Sequence, residues 1–246
     1  MNTRLLIEYD GTDFCGWQRQ PNGPTVQEEI EKILQKTLGK KTTLYGASRT
    51  DSGVHALGQV ATFFTDSPMP PERWTALLNF HLPRSIRILR ADHVAMDFNP
   101  QADAVEKEYE YLILNRPVAS GLHRRAYYTP RKVHWGRIRE AMTQYVGTHD
   151  YIAFQGAKAE LKTTVRTVTQ FELYERGDGF YAFRTRGNGF LKQMVRTMVG
   201  TLIEIGYGKR DIGDITRILQ SRDRREAGHT APACGLTLVR VYYPGE

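Results

Sequence analysis

Cysteine is scarce in this chain of 246 residues: only Cys15 and Cys234 occur. Two thiols so far apart make neither a disulfide framework nor a metal cluster, and both read as free buried thiols of a reducing cytoplasm. The seven histidines show no metal-ligand spacing, so no zinc site is expected. No apolar run reaches the ~20 residues that cross a bilayer, and no membrane helix is expected. Acid arrives early, at Glu8 and Asp10, which does not suit a signal peptide. P-loop and dinucleotide-binding glycine patterns are missing as well, so no nucleotide cofactor is expected.

Positive charge is plentiful. Thirty-four Lys and Arg against 27 Asp and Glu leave a net charge of +7, and the excess is clustered. His123-Arg124-Arg125, Arg131-Lys132, Arg184 with Arg186, Lys192 with Arg196, and Arg222 with Arg224-Arg225 stand out. Such clusters bind polyanions by releasing counterions, and tyrosines and phenylalanines among them favour RNA, whose unstacked bases lie on aromatic faces.

The order of elements reads twice as β-α-β-β-α-β. In the first half, residues 3–9 are extended. Thr25 and Glu28 form a capping box, and Val26, Ile30, Ile33, Leu34 and Leu38 line one helical face before Gly39. Strand-like residues 42–46 and 59–64 follow, then a helix after Pro70-Pro71 and an extended segment at 85–96. In the second half a strand over 107–115 precedes a helix from Trp135 to Tyr145. A hairpin through Arg176-Gly177-Asp178-Gly179 comes next, then helices from Phe190 to Ile205 and from Asp211 to Leu219, and a last strand at 236–243. The expected class is α+β: two ferredoxin-like, RRM-like halves, 1–104 and 105–246, with mainly antiparallel sheets joined around a basic RNA-binding cleft.

The most informative stretch is Gly-Ala-Ser-Arg-Thr-Asp-Ser-Gly-Val-His-Ala-Leu-Gly-Gln at 46–59. Asp51 sits in small polar residues between Arg49 and Gly53, just ahead of a strand. A carboxylate on such a loop is held firmly yet meets a ligand, although a bare Arg-Thr-Asp also makes an ordinary turn. Tyr9-Asp10-Gly11-Thr12-Asp13-Phe14-Cys15-Gly16-Trp17 fits a strand-ending turn. Tyr109 and Tyr111 share one strand face. Arg196 is a cation on a helix with a large apolar face, able to snorkel or to pair with an acid. His149-Asp150 reads as a turn or cap.

Together, the 46–59 string, the 9–20 turn, Lys107-Glu108-Tyr109-Glu110-Tyr111, Gly187-Asn188-Gly189-Phe190-Leu191-Lys192-Gln193-Met194-Val195-Arg196 and Gly235-Leu236 resemble the TruA family of tRNA pseudouridine synthases along essentially the whole chain. The resemblance implies Asp51 as the catalytic residue, Arg196 as its partner and Tyr109 against the target uracil. It further implies Leu236 lining the pocket and Arg49 assisting base extrusion. It implies tRNA as substrate at anticodon stem-loop positions 38, 39 and 40, a homodimer, and no cofactor or metal. Whether Asp51 attacks as a nucleophile or acts as a base at C2′ stays open. Rival readings are an RRM-like RNA-binding protein without catalysis and an RNA hydrolase or glycosylase using Asp51 as base.

Overall fold

The computed structural model describes residues 1–156 and 163–245, which divide into two compact units. One comprises Met1–Val105 with Thr237–Glu246, the other Glu106–Leu236. Ten strands and five α-helices are present among the described residues, and the strands pair mostly antiparallel, as expected of a mixed α+β chain. No helix among them is long and apolar enough to cross a membrane.

The first unit follows the expected order: β1 (Asn2–Tyr9), α1 (Val26–Leu38), β2 (Tyr45–Gly46), β3 (His55–Phe64), α2 (Pro71–His81) and β4 (Ile86–Val94). Strand β1 lies between β4 and β3, antiparallel to both, with Leu5 opposite Ala61 and Ala91. The capping box forms: the Thr25 hydroxyl accepts from Glu28 N–H at 3.3 Å, and Gly39 closes α1 at φ 66°. Helix α1 buries Val26, Ile30 and Leu34, while α2 buries Trp74, which meets Phe63 of β3 edge-on at 5.1 Å between ring centres. Truncating such a fully buried aromatic costs about 3–5 kcal/mol.

The second unit holds β5 (Glu106–Asn115), β6 (Tyr127–Thr129), α3 (Trp135–Met142), β7 (Gly147–Asp150), β8 (Val165–Gly177), β9 (Phe180–Gly187), α4 (Met194–Gly206) and α5 (Asp214–Ser221). Its sheet runs β5-β9-β8-β7, antiparallel throughout, with β6 parallel to β5. The expected hairpin turns through Asp178 and Gly179, both at positive φ (50° and 79°), the backbone of a type I′ turn. One expectation needs correction. Residues 190–193 are not helical: Gln193 takes a left-handed conformation (φ 61°), and the helix starts only at Met194. A single left-handed residue breaks the hydrogen-bond ladder that an apolar periodicity alone would continue.

The last strand, β10 (Leu236–Tyr242), runs parallel to β3, with Thr237 opposite His55 and Leu238 opposite Ala56. Val105 N–H donates to Tyr242 O (2.9 Å), the Tyr243 hydroxyl to Pro100 O (2.8 Å), and Phe98 packs on Tyr243. The end of the chain therefore groups with the first unit, although it follows the second in sequence.

Candidate active site

Asp51 stands half-buried at the bend before β3. Its carbonyl accepts from Val54 N–H (3.1 Å), and Gly53 takes φ 77°, so the bend is a tight turn. Nearly every neighbour of the bend is fastened. Trp17 N–H donates to Thr50 O (3.1 Å), the Ser52 hydroxyl to Phe14 O (3.2 Å) and Gly53 N–H to Phe14 O (3.3 Å). The Tyr9 and Thr50 hydroxyls meet at 2.7 Å in a buried hydrogen bond. Farther along, Gln59 reaches back to Ser48, accepting from its N–H at 3.2 Å and donating to its carbonyl at 2.6 Å.

The 9–20 turn is therefore the cradle of the Asp51 loop. Its glycines allow the close approach: a Cβ on Gly11 would lie 2.0 Å from Val54 O, and one on Gly16, already at φ 90°, would lie 2.6 Å from Thr50 O. Buried Glu31 of α1 accepts from Arg19, from Gln27 (3.1 Å) and from Leu44 N–H (2.9 Å), locking the far side of the turn. Arg49 lies two residues from Asp51 on the same loop, and its side chain is exposed.

Tyr109, Arg196 and Leu236 all belong to the second unit. Tyr109 is 7% exposed, and its ring meets Phe190 edge-on at 5.3 Å. Tyr111, two residues on, is fully buried and donates to Pro232 O at 2.7 Å. Its ring lies where a Gly235 side chain would start, so only glycine fits before Leu236, itself 6% exposed. Arg196, in the first turn of α4, is clamped by Ala231: its Nε donates to Ala231 O (2.8 Å), and its carbonyl accepts from Ala231 N–H (3.1 Å). Gly200 makes room for that segment, since a Cβ there would lie 1.9 Å from His229 O. Burial, and the Cys234 thiol beside it, push the Tyr111 phenol well above its ordinary range, while the Arg196 charge pulls it down. Burial also raises the Cys234 thiol, again against Arg196. Strand β5, helix α4 and the 231–236 segment thus bring Tyr111, Arg196 and Cys234 into one neighbourhood.

A family model described as tRNA pseudouridine synthase matches residues 5–101 and 141–244. The chain belongs to the tRNA pseudouridine synthase family. It is 47% identical over 243 residues to the tRNA pseudouridine synthase A of Acetivibrio thermocellus, covering 98% of this chain and 99% of that one. The enzyme of the same name from Geobacter sp. (strain M21) is 45% identical over 245 residues, covering 99% of each. Among solved structures, a Cbf5-Nop10-Gar1 complex aligns with 82% of this chain and 45% of that one, at 14% identity and a TM-score of 0.38.

Several cations of this synthase that read as RNA-binding clusters are already engaged. Arg184 pairs with Glu108 (3.2 Å) and Glu110 (3.3 Å), Arg186 with Glu106, Arg222 with Asp150 (2.7 Å) and Arg225 with Asp223 (2.6 Å). Apart from Asp223, these partners lie far off in sequence or across a strand pair, so a charge count along the chain overlooks them. Asp150 also accepts from Ile152 N–H (3.1 Å) and the Thr164 hydroxyl (2.6 Å), the capping part read for His149-Asp150. A hollow of about 500 Å³ opens on the first unit's sheet among Arg4, Leu6, Val60, Arg90, Asp92 and Arg240; Asp51 does not line it. Among the described residues, no group of three or more His, Cys, Asp or Glu could hold a metal ion.

The synthase's sequence motifs did not reveal Tyr9, Thr50 and Glu31 as supports, nor Phe190 as the neighbour of Tyr109. The signal for Phe190 was available in Gly187-Asn188-Gly189, whose glycines favour a loop over a helix start.

Proposed function

We propose that this chain isomerises uridine to pseudouridine at positions 38, 39 and 40 of the tRNA anticodon stem-loop, with Asp51 as the catalytic carboxylate. The N1–C1′ bond breaks, the uracil turns, and C5 bonds to C1′; the C5 proton leaves and N1 gains one, so composition and oxidation state are unchanged. The chemistry needs one ionised carboxylate and a pocket that retains the detached base. Asp51 serves as nucleophile or as base at C2′. The observation that carries the reading is the bend at Asp51, braced by the 9–20 turn in a chain of this family.

Arg196 partners the Asp51 carboxylate in this proposal. Its clamp on Ala231 and its place at the positive end of α4 suit it to hold an anion. Tyr109 stacks on the extruded uracil, Leu236 walls the pocket, and Arg49 fills the space the base leaves or holds its phosphate. Residues 1–104 supply the aspartate loop, and residues 105–246 supply the tyrosine platform and arginine helix. Ferredoxin-like halves belong to the same reading; the first unit supports it, with β4-β1-β3 in that order and β2 antiparallel to β3. The working form is a cytoplasmic homodimer.

Incubation with tRNA tritiated at uridine C5 tests the assignment. The wild-type chain should release label while the tRNA keeps its mass, and Asp51→Asn should bind tRNA but release none. Release of free uracil or strand scission would point to a hydrolase or glycosylase. Binding without label release by the wild type would leave only an RNA-binding protein.

A further inference from the structure

An irregular strap, residues 227–231, is bound along one side of α4 and runs back from the end of that helix to Arg196. The helix offers it Arg196, Thr197, Gly200, Thr201 and Glu204, a spacing that keeps all five on one face. Gly228 N–H donates to the Thr201 hydroxyl (2.9 Å), the Thr230 and Thr197 hydroxyls meet at 3.4 Å, and Ala231 exchanges two bonds with Arg196. The approach is close because both partners carry glycine. A Cβ on Gly200 would lie 1.9 Å from His229 O, and one on Gly228 would lie 2.7 Å from Thr201 Cα. Arg224 closes the strap on itself, donating to Gly228 O and to the Thr230 hydroxyl, both at 3.0 Å.

Glu204 anchors the strap about two turns, or roughly 12 Å, along the helix from Arg196. One carboxylate oxygen accepts from His229 N–H (3.0 Å) and His229 Nδ1 (2.9 Å), and the other accepts from Arg210 Nε. Arg210 in turn donates to Glu226 O (2.9 Å), and Arg137 Nη2 donates to Arg210 O (3.0 Å). Burial raises the Glu204 acid, but Arg210 and the two His229 donors together hold it down to about 2. An ionised carboxylate only accepts, so His229 Nδ1 is the donor. The other end of α4 has the greater need of support. The Gln193 side chain makes no capping bond to the first turn, where Arg196 stands half-buried. A long arginine there has many rotamers to lose, and the Ala231 carbonyl fixes its Nε.

We propose that Glu204 is a positioning residue for the reaction: by holding His229 it sets the strap against α4, and through Ala231 it aims the Arg196 guanidinium. The inference rests on the reading of Arg196 as the partner of the Asp51 carboxylate. A guanidinium presents its donors in a fixed planar fork, so a small rotation weakens its hold on an anion. Glu204 touches no reacting atom in this scheme, and the backbone of residues 228–231 transmits its effect. A brace without that link to Arg196 would change stability and leave turnover per folded molecule as it was.

The test compares wild type, Glu204→Ala, Glu204→Gln, Arg196→Lys and the double variant Glu204→Ala with Arg196→Lys. It measures label release from C5-tritiated tRNA, tRNA Kd, and hydrogen exchange at Ala231 N–H and Arg196 Nε–H by nitrogen NMR. Glu204→Ala should lower kcat about 10-fold, keep KM and Kd within about 2-fold, and speed exchange at both nitrogens. Glu204→Gln keeps an acceptor for His229 N–H and should recover most of the turnover. Arg196→Lys removes the Nε donor that meets the strap, so adding Glu204→Ala to it should cost no further turnover. If Glu204→Ala does not fold, His229→Ala, at an exposed side chain, decides: it deletes the ring bond and should lower kcat about 3-fold. Wild-type kcat in a folded variant of the anchor would overturn the proposal, as would losses that add in the double variant. A wild type that binds tRNA without releasing label would overturn the catalytic reading instead, and hydrogen exchange would still report whether Glu204 fixes Arg196.

Discussion

The Asp51 loop and the Tyr109 strand present their side chains by opposite means. The bend at Asp51 is fastened by hydrogen bonds: the Phe14 carbonyl accepts from Gly53 N–H and the Ser52 hydroxyl, Trp17 and Val54 N–H donate to the Thr50 and Asp51 carbonyls, and the Tyr9 and Thr50 hydroxyls pair. Tyr109 is set by strand register, opposite Thr185 of β9, and by the edge of Phe190. The difference suits the roles proposed for the two groups. A carboxylate has to stay ionised and aimed, and fixed dipoles do that at little reorganisation cost. A stacking ring needs only a rigid wall at the right height, which a sheet supplies through its alternation.

Perturbing the loop should cost more than perturbing the strand. Gly11→Ala places a methyl 2.0 Å from Val54 O, which backbone must yield to. Turnover should fall by about 10²-fold or more, since a shift near 1 Å at a catalytic group costs that much. Label-release kinetics at saturating tRNA measure it, and an unchanged rate would show that the loop is not held as described. Next comes Tyr109→Ala, which removes the proposed stacking surface; at roughly 1–3 kcal/mol per base the expected loss is about 10- to 100-fold in kcat/KM. Tyr109→Phe keeps the ring and should retain most activity; a loss of ~10²-fold instead would give the phenol a part in proton transfer.

Smaller effects sharpen the contrast. Tyr9→Phe deletes the buried bond to Thr50 and should lower stability by about 1 kcal/mol, with a modest loss of turnover, read by denaturant unfolding alongside kinetics. The reverse face of β5, with Glu106, Glu108 and Glu110 tied to Arg186, Arg184 and Arg176, should be the most tolerant. Glu110→Gln should change stability by about 0–1 kcal/mol, because partly exposed pairs gain little over their hydrated partners. A loss well above that in urea titration would make the ladder a structural support.

Much of this layout could be read from local patterns. Thr25, Glu28 and Gly39 bounded a helix because capping is a contact between residues three or four apart. Asp178-Gly179 announced a hairpin because only a few residue pairs tolerate two positive φ angles. Asp51, Tyr109, Arg49, Arg196 and Leu236 were singled out by motif. The short strands β6 and β7 escaped notice, since three or four residues carry too little periodicity to stand out. The helix drawn from Phe190 was too long because apolar spacing continues through a loop that Gln193 terminates by its backbone conformation.

Local signals such as caps, turn residues and alternation were enough to determine most of the longer elements of this protein, because each depends on neighbours a few positions away. Only the tertiary structure decided that the final strand returns to β3, that Arg184 and Arg186 spend their charge on a glutamate ladder, and that Arg166 lies against Gly189. Those outcomes depend on pairings between residues tens of positions apart, where burial and Coulomb energy are set by the folded surroundings.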